Sequence, residues 1–484
     1  MISLAALIAH LPASTQVVGD STREIASIEI DSRAVRDGAL FVALRGQRGD
    51  GHAYVSQAIS LGATALLVEE AQFLTPPPGV TVVHVPDTRA ALSPLAAAFY
   101  GEPSHALDVI GVTGTNGKTT TTRMISAILD AAGMSCGVIG TVGAGLGERS
   151  WTLSNTTPQP PELHGLLATM RDLGAKAVAM EVSSHALALD RVEDVRFRIG
   201  VLTNVTRDHL DFHGSLEAYA AAKRRLFRMT ETAVINVDDA FGNVWALDLY
   251  KHGVDVTTYG IRYGAHLVPT NIEMRGGGST FSVNQQKYEV RLPGRFNIWN
   301  ALAAICTARL LGVDDARIAS GLAGLERVPG RMEHAGSGDV DVVVDYAHTP
   351  DALENALRAL RETARASLAV VFGCGGDRDR GKRPQMGAVA ASLADRIYVT
   401  SDNPRGEDPQ AIVDEIVAGI GTHEHVVELD RRAAIARAIA EAKRGDIVLV
   451  AGKGHETYQI VGERVLAFDD LAIARDLLAR RAAS

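Results

Sequence analysis

Residues 111–120 read GVTGTNGKTT and lie between an apolar run at 107–110 and a helical pattern at 121–132. A glycine-rich turn between a buried strand and a helix, closed by Gly-Lys-Thr, is typical of a loop that cradles phosphate groups. Backbone N–H groups at the helix start would face the phosphates, Lys118 would add positive charge, and the Thr119 hydroxyl could reach Mg²⁺. An ordinary glycine-rich turn is the alternative, but it does not require the adjacent Lys-Thr pair. The sequence therefore predicts a site for ATP or a relative.

The bulk composition is that of a globular protein with several domains. The chain has 484 residues, of which 46% are hydrophobic and 22% charged, and a length of this order suggests more than one core. A net charge of −9 argues against a general nucleic-acid binder, which would carry a basic face. We therefore expect small-molecule substrates as the partners, no nucleic acid, and a monomer.

Two features predict a cytoplasmic location. The three cysteines, Cys136, Cys306 and Cys374, are too sparse for a disulfide framework or a zinc site, which fits a reducing compartment. The first 14 residues are partly apolar but have no basic residue ahead of the apolar stretch, so a short amphipathic helix is favoured over a signal peptide. No apolar run approaches the roughly 18–20 residues that would span a bilayer, so we expect no membrane insertion.

Strand and helix patterns alternate along most of the chain, which predicts an α/β fold with mostly parallel sheets. We expect three domains. The first is an N-terminal domain over 1–105, and the second is a central domain over 106–330 with a doubly wound sheet and the phosphate loop. The third is a Rossmann-like α/β domain over 331–484. Ligands of such sheets bind outside the carboxyl ends of the strands.

Polar motifs follow the strands of the central domain. Glu181 in EVSSH and His209 in RDHLDFH could hold a divalent metal between ATP oxygens, although a capping role and an ordinary loop position are the alternatives. Lys223 lies on a helical pattern, where a solvated lysine is the simplest interpretation. Glu181 and His209 are therefore candidates because both follow strands.

Three glycine- and charge-rich turns follow strands of the third domain. They read GCGGDRDRGKR at 373–383, DNPR at 402–405 and GKGHE at 452–456. An arginine in a turn stiffened by proline is suited to bidentate capture of a carboxylate. The carboxyl ends of strands in one parallel sheet share an edge, so we expect the three turns to form one pocket.

These motifs, taken in order, resemble the Mur ligase family of ATP-dependent amide-forming enzymes in peptidoglycan synthesis. They are most similar to the family members that add 2,6-diaminopimelate. The resemblance extends through all three predicted domains, and a chance match of the ordered set is negligible. Its motifs are DSR (31–33), GTNGKTT (114–120), NTTP (155–158), EVSSH (181–185), TRDHLDFHG (206–214), GRFN (294–297), PGRME (329–333), DYAHTPD (345–351), GCGGDRDRGKRP (373–384), DNPR (402–405) and GKGHE (452–456).

The resemblance implies a role for each matched residue. Lys118, Lys223, Glu181 and His209 would be catalytic, with Thr119, Glu181 and His209 organising Mg²⁺ and Lys223 carbamylated by CO₂. ATP would contact Gly114, Thr115, Asn116, Gly117, Lys118, Thr119, Thr120, Asn297 and Arg331. The UDP-linked substrate would contact Ile30, Ser32, Gln47, Arg48, Gly49, Asn155, Thr156, Thr157, Ser183 and Arg191. The incoming amino acid would contact Arg378, Asp402, Asn403, Pro404, Arg405, Gly452 and Glu456.

The implied reaction joins meso-2,6-diaminopimelate to the D-glutamate side-chain carboxylate of UDP-N-acetylmuramoyl-L-Ala-D-Glu through an acyl phosphate. Arg378 and Arg405 could grip the distal carboxylate that lysine lacks, and Asp402 and Glu456 could hold an ammonium. One departure is Leu189, since some relatives carry a substrate-binding glutamine at this position. A substrate hydrogen bond is therefore missing or supplied elsewhere.

Three other functions compete with this interpretation. The same ligase could add L-lysine, but the arginine of DNPR argues against that choice. Folylpolyglutamate synthetase is a related amide ligase, and it should lack the full N-terminal domain with its DSR motif. A nucleotide-controlled binding switch would form no amide bond and has no need of two further charged pockets.

Overall fold

A computed structural model describes residues 2–46, 49–69, 78–262, 264–275, 277–336 and 338–483. Contacts between Cα atoms divide the chain into two compact units. Unit 1 comprises Met1–Gly111, Met134–Gly200 and Arg225–Glu231, and unit 2 comprises Val112–Gly133, Val201–Arg224 and Thr232–Ser484. This division does not follow the predicted boundaries after 105 and 330, which stay a prediction.

The N-terminal segment forms a five-stranded sheet in the order β2–β7–β6–β5–β4. Its strands β4 to β7 are parallel, and β2 pairs antiparallel at one edge. The elements are β1 Ile2–Ser3, α1 Leu4–Ile8, β2 Gln16–Val18, β3 Glu24–Ile25, β4 Ser27–Glu29, β5 Ala39–Val42, α2 Val55–Ser60, β6 Ala63–Val68, β7 Thr81–His84 and α3 Thr88–Phe99.

The central segment carries an eight-stranded sheet in the order β11–β10–β9–β12–β8–β13–β14–β15 and a three-stranded antiparallel sheet, β16–β17–β18. The elements are β8 Asp108–Thr113, α4 Lys118–Ala131, β9 Cys136–Gly140, β10 Gly143–Leu146, β11 Arg149–Trp151, α5 Pro160–Asp172, β12 Ala177–Glu181, α6 Ser184–Ala188, β13 Phe197–Leu202, α7 Leu210–His213, α8 Leu216–Arg224, β14 Thr230–Asn236, α9 Ala240–Lys251, β15 Asp255–Tyr259, β16 Thr270–Arg275, β17 Gly278–Val283, β18 Gln286–Val290, α10 Phe296–Leu310 and α11 Asp315–Gly324.

The C-terminal segment forms a six-stranded sheet in the order β19–β20–β24–β21–β22–β23, parallel except for the edge strand β19. A two-stranded hairpin, β25–β26, follows it. The elements are β19 Glu333–Gly336, β20 Asp341–Asp345, α12 Pro350–Arg361, β21 Leu368–Phe372, α13 Lys382–Leu393, β22 Arg396–Val399, α14 Pro409–Ile420, β23 Val426–Val427, α15 Arg431–Glu441, β24 Ile447–Ala451, β25 Tyr458–Val461, β26 Arg464–Ala467 and α16 Asp470–Ala483.

Continuous apolar runs produce the buried strands. Every residue of β21 and of β24 is buried, as expected for strands of a parallel sheet that helices cover on both faces. The alternate side chains of these strands enter two separate cores, one with Leu449 and the other with Val448. The sheet is therefore packed against a core on each face, and the polar turns follow the ends of its buried strands.

Candidate active site

The phosphate loop connects β8 to α4 and depends on two glycines with positive φ. Gly114 has φ 150° and Gly117 has φ 86°. A Cβ at Gly114 would lie 1.8 Å from Thr203 Oγ1, and one at Gly117 would lie 2.4 Å from Asn300 Oδ1. Helix α4 begins directly after Gly117, so its first-turn N–H groups border the loop. The loop therefore has the form of an anion cradle.

Two lysines donate hydrogen bonds to the same loop carbonyl. Lys118 Nζ lies 2.9 Å from Gly114 O and 2.8 Å from Thr115 O. Lys223 Nζ lies 2.7 Å from Gly114 O and 4.3 Å from the centroid of the Tyr219 ring. Lys223 is 1% exposed, so the interpretation as a solvated lysine is wrong. Both amines therefore lie beside the loop that is predicted to bind negatively charged phosphate groups.

Burial holds the pKa of Lys223 well below its ordinary value, because the charged form loses its hydration. The positive charge of Lys118 lowers this pKa further, and the Asp208 carboxylate acts in the opposite direction. Lys223 can therefore carry a neutral amine, which is the nucleophilic form of a lysine.

The segment after β13 holds the phosphate loop in shape. Thr203 Oγ1 donates to Asn116 O at 2.6 Å, and Asn204 Oδ1 accepts from the backbone N–H of Asn116 at 2.9 Å. Thr115 Oγ1 accepts from the Thr206 N–H at 2.9 Å and lies 3.1 Å from Thr206 O. These bonds fix the loop before any ligand binds, so little conformational entropy needs to be lost on binding.

Asp208 is a buried carboxylate beside this segment, and sequence reasoning did not single it out. Its Oδ2 lies 3.3 Å from Nε2 of His209 and 3.8 Å from Nε2 of His348. Burial opposes ionisation, but the hydrogen bond to His348 and the charges of His209, His348 and Lys382 hold the pKa of Asp208 well below its ordinary value. His209 has φ 53°, a left-handed conformation at the start of α7. These partners therefore favour the ionised form of Asp208, which acts on the nearby Lys223.

Two predicted nucleotide contacts also border the loop. Arg331 Nη2 donates to the Thr119 hydroxyl at 2.9 Å, and its guanidinium carbon lies 4.6 Å from the Tyr346 ring centroid. Asn297 Oδ1 accepts from Nδ2 of Asn300 at 2.9 Å, and Asn300 is the residue that borders Gly117. Thr120 is buried in the first turn of α4. The predicted ATP-binding residues are therefore gathered around one loop in unit 2.

In unit 1, a second group of predicted residues surrounds Glu181. Its two carboxylate oxygens accept from the N–H and the hydroxyl of Thr141 at 2.9 and 3.0 Å. Thr141 Oγ1 lies 3.1 Å from the hydroxyl of Thr156. Thr157 donates to Glu181 O at 2.8 Å, and Arg191 Nη1 donates to Thr157 O at 3.0 Å. Thr141 is a further polar residue of this group, and no motif pointed to it.

The remaining substrate candidates also lie in unit 1. Ser32 Oγ donates to Gln57 Oε1 at 2.8 Å. Gly46 N donates to Gly49 O at 2.8 Å, which closes the predicted turn, and Ile30 is half-buried. Ser183 caps α6 through Ala186 N and borders Thr157, and Asn155 Nδ2 donates to Ser154 Oγ. The predicted contacts Gln47 and Arg48 lie outside the described residues.

The three turns of the C-terminal sheet come together at one edge, because β21 lies between β22 and β24. Gly452 has φ 117°, and a Cβ there would lie 2.6 Å from Asp402 Oδ2. A Cβ at Gly375 would lie 2.8 Å from Arg405 Nη1 and 3.7 Å from Arg378 Cγ. Because Gly375 has no side chain, Arg405 and Arg378 can lie close to its turn, and Gly452 leaves room for Asp402 in the same way.

Arg405 is anchored to its own pocket. Its Nη1 donates to Gly376 O at 3.0 Å and to Asn403 O at 3.3 Å, and its backbone has φ 52°. Burial lowers the pKa of Arg405, and the charge of Arg378 lowers it further. A cation destabilised in this way gains stability when an anion binds beside it, so the turn is suited to a carboxylate.

Three family models match the chain. The Mur ligase middle domain matches residues 112–308, the Mur ligase glutamate ligase domain matches 330–454, and the Mur ligase family catalytic domain matches 24–100. A curated relative from Syntrophomonas wolfei subsp. wolfei, UDP-N-acetylmuramoyl-L-alanyl-D-glutamate--2,6-diaminopimelate ligase, is 45% identical over 474 residues, which cover 95% of this chain and 96% of the relative. The chain belongs to the Mur ligase family.

Other comparisons agree with this assignment. The ligase of the same name from Chlorobaculum tepidum is 47% identical over 458 residues, covering 91% of this Mur ligase and 90% of the relative. A solved structure with that name is 33% identical, with a TM-score of 0.68 and full coverage of both chains. The MurF ligase from Thermotoga maritima in complex with ADP is 21% identical, with a TM-score of 0.65 and coverage of 94% and 98%, and shows the fold alone. The predicted three-domain α/β fold class is confirmed.

The structure distributes the predicted site residues of this Mur ligase over its two units. Thr119, His209 and Lys223 belong to unit 2, as does the amino-acid pocket, whereas Glu181 and the candidates for the UDP-linked substrate belong to unit 1. Within the described ranges, no group of three or more histidine, cysteine, aspartate or glutamate side chains could hold a metal ion by itself. The predicted Mg²⁺ set therefore stays a prediction.

Two buried cations of the C-terminal sheet were missed by sequence reasoning. Arg383 has a 1% exposed side chain, and its two terminal nitrogens donate to Glu407 and Glu415 at 2.8 to 2.9 Å. Lys453 is fully buried among the turns that follow β22 and β24. Both residues occur in motifs rich in charge, where the sequence does not show which side chains point inward.

Proposed function

We propose that this Mur ligase uses ATP to join meso-2,6-diaminopimelate to the D-glutamate side-chain carboxylate of UDP-N-acetylmuramoyl-L-Ala-D-Glu in peptidoglycan precursor synthesis. Support comes from the relatives named UDP-N-acetylmuramoyl-L-alanyl-D-glutamate--2,6-diaminopimelate ligase, which match nearly the whole chain. The observation that carries the choice of amino acid is that Arg405 and Arg378 border Gly375 in one turn, and that the carboxylates of Asp402 and Glu456 lie close enough to act on the pKa of Arg405.

The reaction requires activation because a carboxylate is a poor acyl donor. Transfer of the γ-phosphoryl group to a carboxylate oxygen gives an acyl phosphate and ADP, and attack by an amine of diaminopimelate then forms the amide and releases phosphate. In our proposal the loop from Gly114 to Thr120 binds the phosphates of ATP, and Asn297 and Arg331 contact the nucleotide. Lys118 would turn from the carbonyls of the loop towards the transferring phosphoryl group.

The proposal includes Mg²⁺ and a carbamate on Lys223. The Thr119 hydroxyl and the Glu181 carboxylate offer the hard oxygen donors that Mg²⁺ prefers, and His209 would complete the set. When bound, the metal would neutralise charge on the phosphates. The neutral amine of Lys223 can add CO₂ and lose one proton, which converts it to an anion. Its nitrogen keeps one N–H, so the bond to Gly114 O can persist.

The UDP-linked substrate would bind to polar groups of unit 1. We assign Ile30, Ser32, Gln47, Arg48 and Gly49 to the nucleotide. We assign the sugar–peptide portion to Asn155, Thr156, Thr157, Ser183 and Arg191. Burial and the nearby charge of Arg89 lower the pKa of Arg191, so this cation also gains stability from a substrate anion.

We further propose that the protein works as a monomer in the cytoplasm, where its nucleotide substrates are found. No helix in the described part of the chain has the length and apolar character of a membrane span.

A phosphate-release assay tests the proposed function. The reaction contains ATP, Mg²⁺ and UDP-N-acetylmuramoyl-L-Ala-D-Glu, with meso-diaminopimelate or L-lysine as the amine and each component omitted in turn. Release that needs every component and diaminopimelate supports the proposal. Phosphate release with L-lysine but not with diaminopimelate would still be ligase chemistry, but it would contradict the assignment of the arginines. If no phosphate is released with either amine, the proposed substrates are contradicted.

A further inference from the structure

Lys453 is a buried cation inside the predicted amino-acid pocket, and no substrate contact has been assigned to it. Its side chain is 0% exposed. Its Nζ lies 3.1 Å from Asn403 Oδ1, 3.0 Å from Glu456 Oε2 and 4.0 Å from Asp402 Oδ1. A buried ammonium is costly unless it is paired and hydrogen-bonded. These partners explain why the fold accepts the charge.

Lys453 and a backbone N–H together fix the orientation of the Asn403 amide. Asn403 Oδ1 accepts from Lys453 and from the backbone N–H of Ile460, the latter at 2.9 Å. Its Nδ2 donates to Glu456 Oε2 at 3.0 Å. Because an ammonium and a backbone N–H only donate hydrogen bonds, both Lys453 and Ile460 exclude the flipped amide. Glu456 Oε2 is thus occupied twice, while Oε1 makes no hydrogen bond to the residues that the structure describes.

Lys453 is the cation that is hydrogen-bonded to Glu456. The side chains of Asp402 and Glu456 are 10% and 15% exposed, and the guanidinium groups of Arg405 and Arg431 also act on both carboxylates. Lys453 lies 3.0 Å from Glu456 Oε2, so its removal would leave that carboxylate without its nearest cation.

We infer that Lys453 is a positioning residue of the amino-acid pocket, which neutralises one of its two carboxylates and orients Asn403 so that Glu456 Oε1 faces the substrate ammonium. The inference rests on the proposed function. Lys453 touches its neighbours in the pocket and is not itself assigned a contact with the reacting atoms. Its loss should therefore affect diaminopimelate binding more than the chemistry of phosphoryl transfer.

The test replaces Lys453 with methionine, which has a similar length and no charge. Loss of a charged hydrogen-bond partner inside a buried site should raise the KM for diaminopimelate by about ten-fold or more. The KM for ATP and for the UDP-linked substrate should rise much less than the KM for diaminopimelate, because other residues make the proposed contacts with these two substrates. Lys443→Met is the matched control, since Lys443 is exposed and lies in the same segment. A purely structural role would instead change all three KM values together.

A second variant distinguishes an effect on folding from an effect on substrate binding. Lys453→Met leaves the Glu456 carboxylate without its cation, whereas Lys453→Met with Glu456→Gln removes both charges. The double variant should melt closer to the wild type, which would show that the stability loss in Lys453→Met comes from the uncompensated Glu456 charge. Its KM for diaminopimelate is compared with that of Glu456→Gln alone, because the loss of the Glu456 carboxylate should raise this KM by itself. A wild-type KM in either folded variant would overturn the inference. The wild type is assayed in the same series, and if it fails to use diaminopimelate, the proposed function itself is refuted.

Discussion

Arg405→Ala should weaken the binding of diaminopimelate far more than the binding of ATP. Arg405 uses Nη1 for two carbonyls of its own pocket, Gly376 O and Asn403 O. Its Nε and Nη2 make no hydrogen bond to the described part of the chain, so both can receive a carboxylate. Alanine removes that donor pair and leaves Arg378 as the remaining cation at this end of the pocket.

The size of the effect follows from the charge of the half-buried guanidinium. A hydrogen bond to a charged group contributes about 1.5–3 kcal/mol, and truncating one partner of a buried charge pair costs about 2–5 kcal/mol. At about 1.4 kcal/mol for each factor of ten, the KM for diaminopimelate should rise by roughly ten-fold to several thousand-fold. The KM for ATP should stay within about two-fold, since distant sites behave independently.

Initial rates of phosphate release measure both constants, with one substrate varied while the others saturate. Arg432→Ala is the matched control, because Arg432 is an exposed arginine of the same segment whose partner is Asp476. Equal KM values for diaminopimelate in the Arg405 variant and the wild type would refute the assignment of this arginine. A parallel rise in the KM for ATP would indicate general disruption of the domain.

Three further predictions concern other parts of the molecule. Lys223→Met should abolish most ATP turnover and remove any dependence of the rate on dissolved CO₂, measured in degassed and bicarbonate-supplemented buffer; persistent CO₂ dependence would contradict the proposed carbamate. Gly114→Ala places a Cβ 1.8 Å from Thr203 Oγ1 and should lower kcat/KM for ATP by about 100-fold or more, whereas Gly324→Ala, with open space at its Cβ, should not. His164 is fully buried with no hydrogen bond from either ring nitrogen to the described residues, and burial lowers its pKa to about 4. In the unfolded chain this histidine has its ordinary pKa of about 6.5, so the unfolded state binds a proton at a higher pH than the folded state. The free energy of unfolding should therefore fall by about 3 kcal/mol as the pH falls from about 6.5 to 4. Denaturant unfolding of the wild type and of His164→Leu should show this loss in the wild type alone, and equal pH dependence would contradict it.

Local patterns predicted the sheets and turns well because they depend on neighbouring residues. The predicted turns at 373–383 and 452–456 directly follow the buried strands Leu368–Phe372 and Ile447–Ala451. The phosphate loop was placed between a strand and a helix, but α4 begins at Lys118 rather than at 121. The error arose because the threonines after Lys118 show no helical periodicity, although their side chains are buried in the first turn.

The sequence could not show which charged side chains are buried. For Lys223 the residue pattern alone favours a solvated side chain, and only the family resemblance implies a catalytic role. The structure places Lys223 Nζ against Gly114 O of the phosphate loop, 109 residues away along the chain. Arg383 and Lys453 occur in motifs whose other charged residues range from buried to exposed, so composition does not separate them. Asp208 and Thr141 contact partners that are distant in the sequence and come close only in the folded chain. Burial of a charge is decided by its partners, and those partners are distant in sequence.

Competition between the two candidate amines tests the central claim most directly. The enzyme would be given ATP, Mg²⁺, UDP-N-acetylmuramoyl-L-Ala-D-Glu and equal concentrations of meso-diaminopimelate and L-lysine, and the product would be identified by mass spectrometry. We expect the UDP-linked tripeptide that contains diaminopimelate, with one ADP formed for each product molecule. A lysine-containing product, or ADP formed without any tripeptide, would contradict the account.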